Sequence, residues 1–108
     1  MTWTVRRGTA HDIIVAFEGH LSSADGARSA HEFVEALGRD TLDVCWDVRE
    51  MSGYDTGARK AWQSQMLARR RQIRSITLIG GSALVRMGAS AIGLVLGIKC
   101  RFADTPPE

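Results

Sequence analysis

Apolar residues recur along the chain with two different periods, and the two kinds of segment alternate. Residues 12–21 place Ile13, Val15 and Phe17 at every second position, and residues 42–48 repeat this pattern. A two-residue period is typical of a β-strand that has one face in the core. With three shorter β-prone or apolar runs, the predicted strands cover residues 2–9, 12–21, 42–48, 75–79 and 98–103.

Three intervening segments carry apolar residues at the spacing of an α-helix. The first begins with helix-start residues at 22–25 and ends at Gly38, the second runs from Thr56 to about Ile73, and the third covers residues 83–96. The expected core-facing positions are Ala27, Ala30, Phe33, Val34 and Leu37 in the first helix; Ala58, Ala61, Trp62, Met66 and Ile73 in the second; and Leu84, Gly88, Ala91, Ile92 and Val95 in the third.

The predicted element order, β-β-α-β-α-β-α-β, indicates an α/β fold class. Helices of this length between strands imply right-handed crossovers, so we expect a mostly parallel sheet with helices packed on it. The 108 residues suffice for one hydrophobic core. We therefore predict a single domain over residues 1–104 and a polar tail over residues 105–108.

Three loops are expected at the carboxyl ends of the parallel strands, where open α/β sheets bind their ligands. These loops, residues 21–25, 50–57 and 80–82, contain small hydroxyl residues or glycine, and each opens a helix. Backbone N–H groups at helix starts favour an anion or a partner's carboxylate, whereas helix capping is the ordinary role of any one serine or aspartate there. The candidate partner-binding or anion-binding residues are Ser22, Ser23, Asp55, Gly57, Gly80, Gly81 and Ser82.

The formal net charge of +2 hides a strong asymmetry. Residues 1–55 carry five basic and ten acidic side chains, a net charge of −5, whereas residues 56–108 carry nine basic and two acidic ones, a net charge of +7. Between Asp55 and Asp104 there is no acidic residue. We expect a dipolar surface that favours oriented docking with a charged partner.

The sequence offers little of the chemistry that an enzyme needs. It has no GxSxG, GxGxxG or GxxxxGK[ST] motif, and its histidines lack the i, i+4 spacing of a metal-binding helix. Cys45 and Cys100 lie far apart without CxxC spacing, so we expect two reduced, buried thiols. We predict a protein without catalytic activity, metal or cofactor.

The sequence also predicts a cytoplasmic protein. Its first residues contain no apolar signal segment. The most apolar stretch, residues 87–98, has 12 residues, against the roughly 20 that span a bilayer. The stretch is therefore interpreted as part of a buried helix.

Two further segments each allow two interpretations. The basic run at residues 69–74 is either a solvated helix end, which we favour, or a contact for anionic lipid or nucleic acid. The third helix contains Gly88, Gly93 and Gly97, whose small size lets another element pack closely on it. One interpretation is packing on the sheet. The other is a dimer face or an apolar ligand groove.

The element order and the loop before the second helix resemble the STAS domain (sulphate transporter and anti-sigma factor antagonist). In that family an apolar strand ends in an Asp-Ser-Ser-Gly-like loop, and the serine or threonine there is a phosphorylation switch. The sequence Tyr-Asp-Thr-Gly at residues 54–57 is similar to that motif and one residue shorter. The resemblance implies Thr56 as the candidate for phosphorylation and Ser52 as the second candidate, within the loop at residues 52–58.

The glycine break at residues 80–82 and the apolar helix after it resemble a divergent STAS-like branch grouped with CRAL-TRIO lipid-binding folds. Members of that branch are often single-domain bacterial proteins with a proposed apolar ligand. The resemblance implies a groove along the third helix. The candidate groove residues are Trp62, Met66, Met87 and Leu84.

The STAS resemblance implies a non-enzymatic regulatory protein-interaction module of the anti-sigma-factor-antagonist type. A kinase-type anti-sigma factor is then the expected protein partner. The alternative is a small carrier or sensor of a lipid-like apolar ligand. Nucleic acid is not an expected partner, no transmembrane segment is expected, and a homodimer is left open.

Overall fold

The computed structural model describes residues 2–9 and 11–106, which form five strands and three α-helices. Ala10 in the predicted turn at 8–12, and residues 107–108 of the predicted tail, lie outside the described residues. The elements are β1 (Thr2–Arg7), β2 (Asp12–Leu21), α1 (Ser23–Leu37), β3 (Leu42–Tyr54), α2 (Thr56–Ala68), a 3₁₀ turn (Arg70–Gln72), β4 (Ile73–Ile79), α3 (Ala83–Leu96) and β5 (Cys100–Ala103).

The strands form one sheet in the order β1-β2-β3-β4-β5, so their spatial order follows the chain. β1 runs antiparallel to β2, and the other neighbouring strands are parallel. Each of α1, α2 and α3 connects two parallel neighbours and packs into the same core. The predicted α/β class and the mostly parallel sheet are confirmed.

The main core lies between the three helices and one face of the sheet, and Trp62 of α2 is near its centre. The Trp62 ring lies 5.1 Å from that of Phe33 and 5.8 Å from that of Phe17, measured between centroids. The Trp46 ring of β3 meets it edge-on at 5.9 Å. The Trp62 indole N–H donates to Ser29 Oγ at 3.0 Å, so this buried donor is satisfied.

A second, smaller cluster lies on the opposite face of the sheet. Its buried members are Ile14, Cys45 and Ile79. Ion pairs surround it, because Arg74 contacts Asp43 at 2.7 Å and Arg49 contacts Asp47 at 2.7 Å. The hydrogen bond from Arg74 holds the pKa of Asp43 below its usual range.

β3 is longer than predicted, because residues 50–54 continue the strand where we expected a loop. These residues pair with β2, where Glu18 lies opposite Glu50 and Leu21 opposite Tyr54. β4 pairs with β3 only as far as Asp47. This part of β3 has a neighbouring strand on one side only, and its residues are largely polar. For this reason the sequence pattern did not indicate a strand here.

The second helix is shorter than predicted and ends at Ala68. Ile73, which we expected in the helix, is buried as predicted but begins β4 opposite Leu42 of β3. Arg74 therefore projects from a strand and pairs with Asp43. Strand pairing here overrides a helical pattern that the sequence carries locally.

The predicted core face of α3 is rotated by about one position. Leu84 and Val95 were expected inside, but they are 58% and 48% exposed. Gly88 and Ile92 are buried as predicted. The buried face consists of Val85, Gly88, Ala89, Ile92, Gly93 and Leu96. Because α3 itself carries apolar residues on most of its sides, the spacing of these residues did not show which side faces the sheet.

Candidate functional site

Asp55 joins the loop after β2 to the loop after β3. One carboxylate oxygen contacts His20 Nε2 at 2.7 Å, and the other accepts the backbone N–H of Ser23 at 3.1 Å. The backbone N–H of Asp55 donates to the carbonyl of Leu21 at 2.9 Å. The contact with His20, followed by that with Ser23, holds the pKa of Asp55 below its usual range. These two loops therefore meet as predicted.

Thr56 is the first residue of α2 and is exposed, next to this junction. Asp55 occupies the N-cap position, but its side chain makes no capping bond to α2. Gly57 packs so closely on Ser23 that a Cβ at residue 57 would collide with the Ser23 hydroxyl. Ser52, the second phosphorylation candidate, is also exposed but lies within β3.

The third loop, residues 80–82, lies apart from this junction. A Cβ on Gly80 would touch Arg49, and one on Gly81 would touch Val48, which places the loop beside the middle of β3. Its φ angles of 70° and 96° are conformations that favour glycine. The expectation that all three loops converge is therefore wrong for this loop, since β3 continues beyond the end of β4.

Two of the candidate serines act as helix caps. Ser22 Oγ accepts the N–H of Asp25 at 3.1 Å at the start of α1. Ser82 Oγ accepts the N–H of Val85 at 3.3 Å at the start of α3. This local role accounts for both residues without a ligand.

An apolar cleft of about 60 Å³ lies between α2, α3 and the helix-covered face of the sheet. Trp46 and Leu78 come from the central strands, and the extended part of β3 adds Met51 and Tyr54. Among the described residues that line the cleft, Arg59 is the one that carries a charge. The remaining lining residues are Phe17, Leu21, Val48, Ala58, Trp62, Val85, Gly88, Ala89 and Ile92.

The cleft agrees only in part with the predicted groove. Trp62 lines it, but Met66 is fully buried in the core and is not part of the lining. Leu84 and Met87 are exposed on the outer side of α3, because the helix is rotated relative to the prediction. The prediction that Met66, Leu84 and Met87 line the groove is therefore wrong.

Of the residues that line the cleft, Trp62 alone was predicted as a groove residue, and Met51, Tyr54 and Trp46 are among those that were missed. Met51 and Tyr54 lie in the segment that was interpreted as a loop, so no side could be assigned to them. Tyr54 packs on Gly88, and its hydroxyl donates to the carbonyl of Leu84 at 3.4 Å. Trp46 lies in the predicted strand at residues 42–48, where an alternating pattern indicates burial but does not show that the side chain lines a cleft.

The basic run at residues 69–74 does not form one free cationic surface. Arg69 donates to Gln65 at 3.2 Å, and Arg70 donates to the carbonyl of Leu96 at 2.5 Å, which ties the end of α2 to that of α3. Arg74 pairs with Asp43. These contacts favour the structural interpretation of the run.

Neither a metal site nor a redox-active thiol is evident over residues 2–9 and 11–106. No group of three or more His, Cys, Asp or Glu side chains in these ranges is placed to hold a metal ion. Cys45 and Cys100 are buried and unpaired, and burial raises the pKa of Cys45 to about 11. In the same ranges, no helix has the length and hydropathy needed to cross a membrane.

Comparison with solved structures identifies the fold as SpoIIAA-like, that is, STAS-like. A Shewanella loihica PV-4 protein from the DUF3478 family, described as having a SpoIIAA-like fold, superposes with a TM-score of 0.72 at 14% identity, covering 96% of this chain and 86% of that one. The anti-sigma factor antagonist SpoIIAA in its unphosphorylated form superposes with a TM-score of 0.67 at 14% identity, covering 97% and 90%. No family model and no curated protein sequence matches the chain.

Proposed function

We propose that this SpoIIAA-like domain is a non-enzymatic regulatory module of bacterial cytoplasm that binds a protein partner through the junction of the β2–α1 and β3–α2 loops. The observation that carries the proposal is the position of Thr56. It is exposed at the first turn of α2, beside the Asp55 contacts that join the two loops. A modification there would alter a surface built from two segments at once.

Phosphorylation of Thr56 is the proposed switch. A phosphate adds a charge of about −1.5 to −2, and the N-terminal end of a helix favours anions. Asp55 opposes that charge from the preceding position, whereas Arg59 lies on the next turn, where its guanidinium donates to Gln63 at 3.2 Å. Ser52 is the second candidate, but it lies within a strand and lacks the helix start.

The proposed partner is a kinase-type anti-sigma factor, the class implied by the resemblance in sequence and by the fold of the anti-sigma factor antagonist SpoIIAA. To test it, wild-type, Thr56→Glu and Thr56→Ala proteins are used to capture partners from an extract of the native host. We expect Thr56→Glu alone to change capture of a protein that mass spectrometry identifies as such a kinase. Peptide mass spectrometry of the domain isolated from the host is expected to show a phosphate on Thr56.

Ser64→Glu is the matched control, because Ser64 is exposed on the same helix away from the junction. It adds the same charge to α2 and is expected to leave capture unchanged. Equal capture by all four proteins, with folding verified by circular dichroism, contradicts the switch.

A second candidate function, carrier or sensor of a lipid-like ligand, is favoured by the apolar cleft between α2 and α3. Native mass spectrometry of freshly purified protein tests this function, with a co-purified small molecule as the expected result. Protein that carries no small molecule when isolated from its native host argues against it.

Self-association is the third proposal about partners. The outer side of α3 exposes Leu84, Met87, Leu94 and Val95, which are between 48% and 83% accessible. Apolar residues clustered on a surface favour association. Sedimentation equilibrium of the wild type and of Leu94→Glu measures it, and a wild type that stays monomeric at all concentrations rejects the homodimer.

A further inference from the structure

β5 lies at one edge of the sheet, and none of the described strands pairs with its outer side. It pairs with β4 over residues 100–103. The carbonyl of Ala103 accepts the backbone N–H of Gly80 at 3.4 Å, so this carbonyl points towards β4. Because successive residues of a strand direct their backbone groups to opposite edges, the N–H and C=O of Phe102 point to the outer edge. This edge therefore offers backbone groups to a further strand.

An open apolar groove of about 400 Å³ lies between α3 and β5. Leu94 of α3 and Phe102 of β5 are part of its wall, and they are 83% and 51% exposed. Its described lining falls within residues 90–102, which belong to α3, to β5 and to the connection between them. The groove therefore lies on the outer side of α3, separate from the cleft between α2 and α3.

The two faces of β5 differ in chemistry. Phe102 lies opposite Leu78 of the main core, so its side chain is on the helix-covered face, where the groove lies. Arg101 lies opposite Thr77, and Thr77 lies opposite Cys45 of the smaller cluster. The Arg101 side chain is therefore on the open face of the sheet. A strand added at this edge would direct alternate side chains to these two faces.

Three basic side chains surround the outer edge of β5. Lys99 lines the groove, and Arg101 is exposed on the open face. The Arg86 guanidinium carbon lies 4.9 Å from the centre of the Phe102 ring. Asp104 is the nearest acidic residue along the chain, and it follows the strand. The charges beside the groove and the strand therefore favour an acidic segment.

These charges disfavour pairing between the free edges of two copies of the chain. The other free edge of the sheet is β1, whose charged residues are Arg6 and Arg7. Pairing of β5 with either β5 or β1 of a second copy would bring basic side chains together, which destabilises a strand pair. A short strand with basic side chains also protects an edge from aggregation, whereas the exposed apolar groove beside β5 favours association. The fitting occupant is therefore an acidic segment of another protein.

We propose that β5 accepts an extended, acidic segment of a protein partner as a sixth strand of the sheet. At every second position an apolar side chain of this segment enters the groove beside Leu94 and Phe102, and the acidic side chains between them lie beside Arg101. Backbone hydrogen bonds to the outer edge provide affinity, and the alternation provides specificity. This surface is separate from the Asp55 junction, which joins the loops after β2 and β3, so it does not depend on the switch proposed there.

The test titrates an EVEVEV peptide with blocked ends into ¹⁵N-labelled protein and follows the backbone amide signals by NMR. EEEVVV has the same composition without the alternation, and KVKVKV has the alternation with the opposite charge. We expect EVEVEV to shift the amide signals of β5 and of the groove and to move that of Phe102 downfield, as a new hydrogen bond to a carbonyl does. The other two peptides are expected to bind several-fold more weakly.

Reversing a charge on β5 provides the second measurement. Arg101→Glu is expected to weaken EVEVEV binding several-fold, up to about tenfold, and to strengthen KVKVKV binding. Lys60→Glu is the matched control, because Lys60 is exposed on α2 outside the groove and its replacement changes the net charge equally. It should leave both affinities nearly unchanged at physiological salt, which screens distant charges.

The outcomes separate strand addition from other kinds of binding. Equal binding of EVEVEV and EEEVVV would indicate general charge attraction and overturn the proposal. Shifts confined to β1 or to the Asp55 junction would place the peptide elsewhere, and β5 signals that depend on protein concentration alone would indicate a second copy; both results contradict it. If millimolar EVEVEV moves no amide signal of β5 or the groove, the proposal fails, whereas the Thr56 switch is decided by its own capture experiment.

Discussion

Asp55 links two loops at the proposed surface. It lies at the N-cap position of α2, yet its carboxylate contacts His20 and the Ser23 backbone of the neighbouring loop. The side chain thus stabilises the junction of two loops and leaves the start of α2 without a side-chain cap. A phosphate or a partner at Thr56 would act directly on this link.

The Asp55 contacts predict a dependence on pH. Because the folded-state pKa of Asp55 is lowered by His20 and Ser23, the contact stabilises the fold above the unfolded pKa of about 3.9, and this stabilisation is lost as pH falls through the lowered value. A ¹³C NMR titration of the carboxyl group is expected to give a midpoint below that of an ordinary aspartate. The Ser23 amide shift should follow the same midpoint and should stop titrating in Asp55→Asn. A midpoint at the ordinary value would show that the contacts are absent in solution.

The cysteines make a second prediction for single residues. Burial raises the pKa of Cys45 to about 11 and also raises that of Cys100, so few thiolates form near neutral pH. Iodoacetamide at pH 8 is expected to leave both thiols unmodified in the native protein and to alkylate both in urea, as measured by intact mass. Rapid alkylation of the native protein would show that the sheet face around Cys45 opens.

The extended β3 and the α3 helix are the elements that create the cleft. β3 continues past the last residue paired with β4 and brings Met51 and Tyr54 beside the helices. α3 accepts Tyr54 because Gly88 has no side chain at that point. The width of the cleft therefore depends on the contact between Gly88 and Tyr54, which lies in the part of β3 that pairs with β2 alone.

Replacing that glycine tests the contact. A Cβ at residue 88 would collide with the Tyr54 hydroxyl, so Gly88→Ala is expected to destabilise the fold by about 1–3 kcal/mol, although alanine favours the helix itself. Urea unfolding measures the change. Ser90→Ala, at an exposed position of the same helix, should stay within about 0.5 kcal/mol of wild type.

The outcome for Gly88→Ala also tests the Tyr54 position itself. When Gly88→Ala is introduced into a Tyr54→Ala protein, it is expected to destabilise the fold much less than in the wild type. The reason is that the collision involves the phenol ring and hydroxyl that Tyr54→Ala removes. If Gly88→Ala is as stable as Ser90→Ala in the wild-type background, Tyr54 does not pack on α3 as described.

Over the whole molecule, strand order converts the charge asymmetry of the sequence into a spatial one. Because the sheet order follows the chain, the acidic excess of residues 1–55 lies on and between β1, β2, β3 and α1, whereas the basic excess of residues 56–106 lies on and between α2, β4, α3 and β5. Ion pairs such as Asp43–Arg74 join the two sides at the middle of the sheet. The proposed switch at Thr56 lies where the sign changes along the chain.

This arrangement is measurable with small charged paramagnetic probes. An anionic probe is expected to relax amide protons of α2, α3 and β5 more strongly, and a cationic probe those of β1 and α1. The difference should shrink strongly at 1 M salt, where the screening length falls to about 3 Å. Equal relaxation of both sides by both probes at low salt would show that no charge gradient exists.

The sequence by itself determined the α/β class, the strand faces and the helix starts after Ser22 and Ser82. It also predicted that three loops converge, and the two that contain Ser23 and Asp55 meet. These features depend on local periodicity, on helix-start chemistry and on the rule that parallel strands end at one edge, all of which short segments encode. The charge asymmetry was equally readable, since it is a property of the chain and only its placement required the sheet order.

The tertiary structure alone decided the length of β3, the end of α2, the rotation of α3 and therefore the cleft. β3 extends because β2 pairs with it beyond Asp47, and Ile73 joins a strand because Leu42 lies opposite. α3 is apolar on most sides, so only contact with the sheet and with Tyr54 selects its buried face. Each of these outcomes depends on contact with a residue distant in sequence, and the local sequence pattern does not encode such a contact.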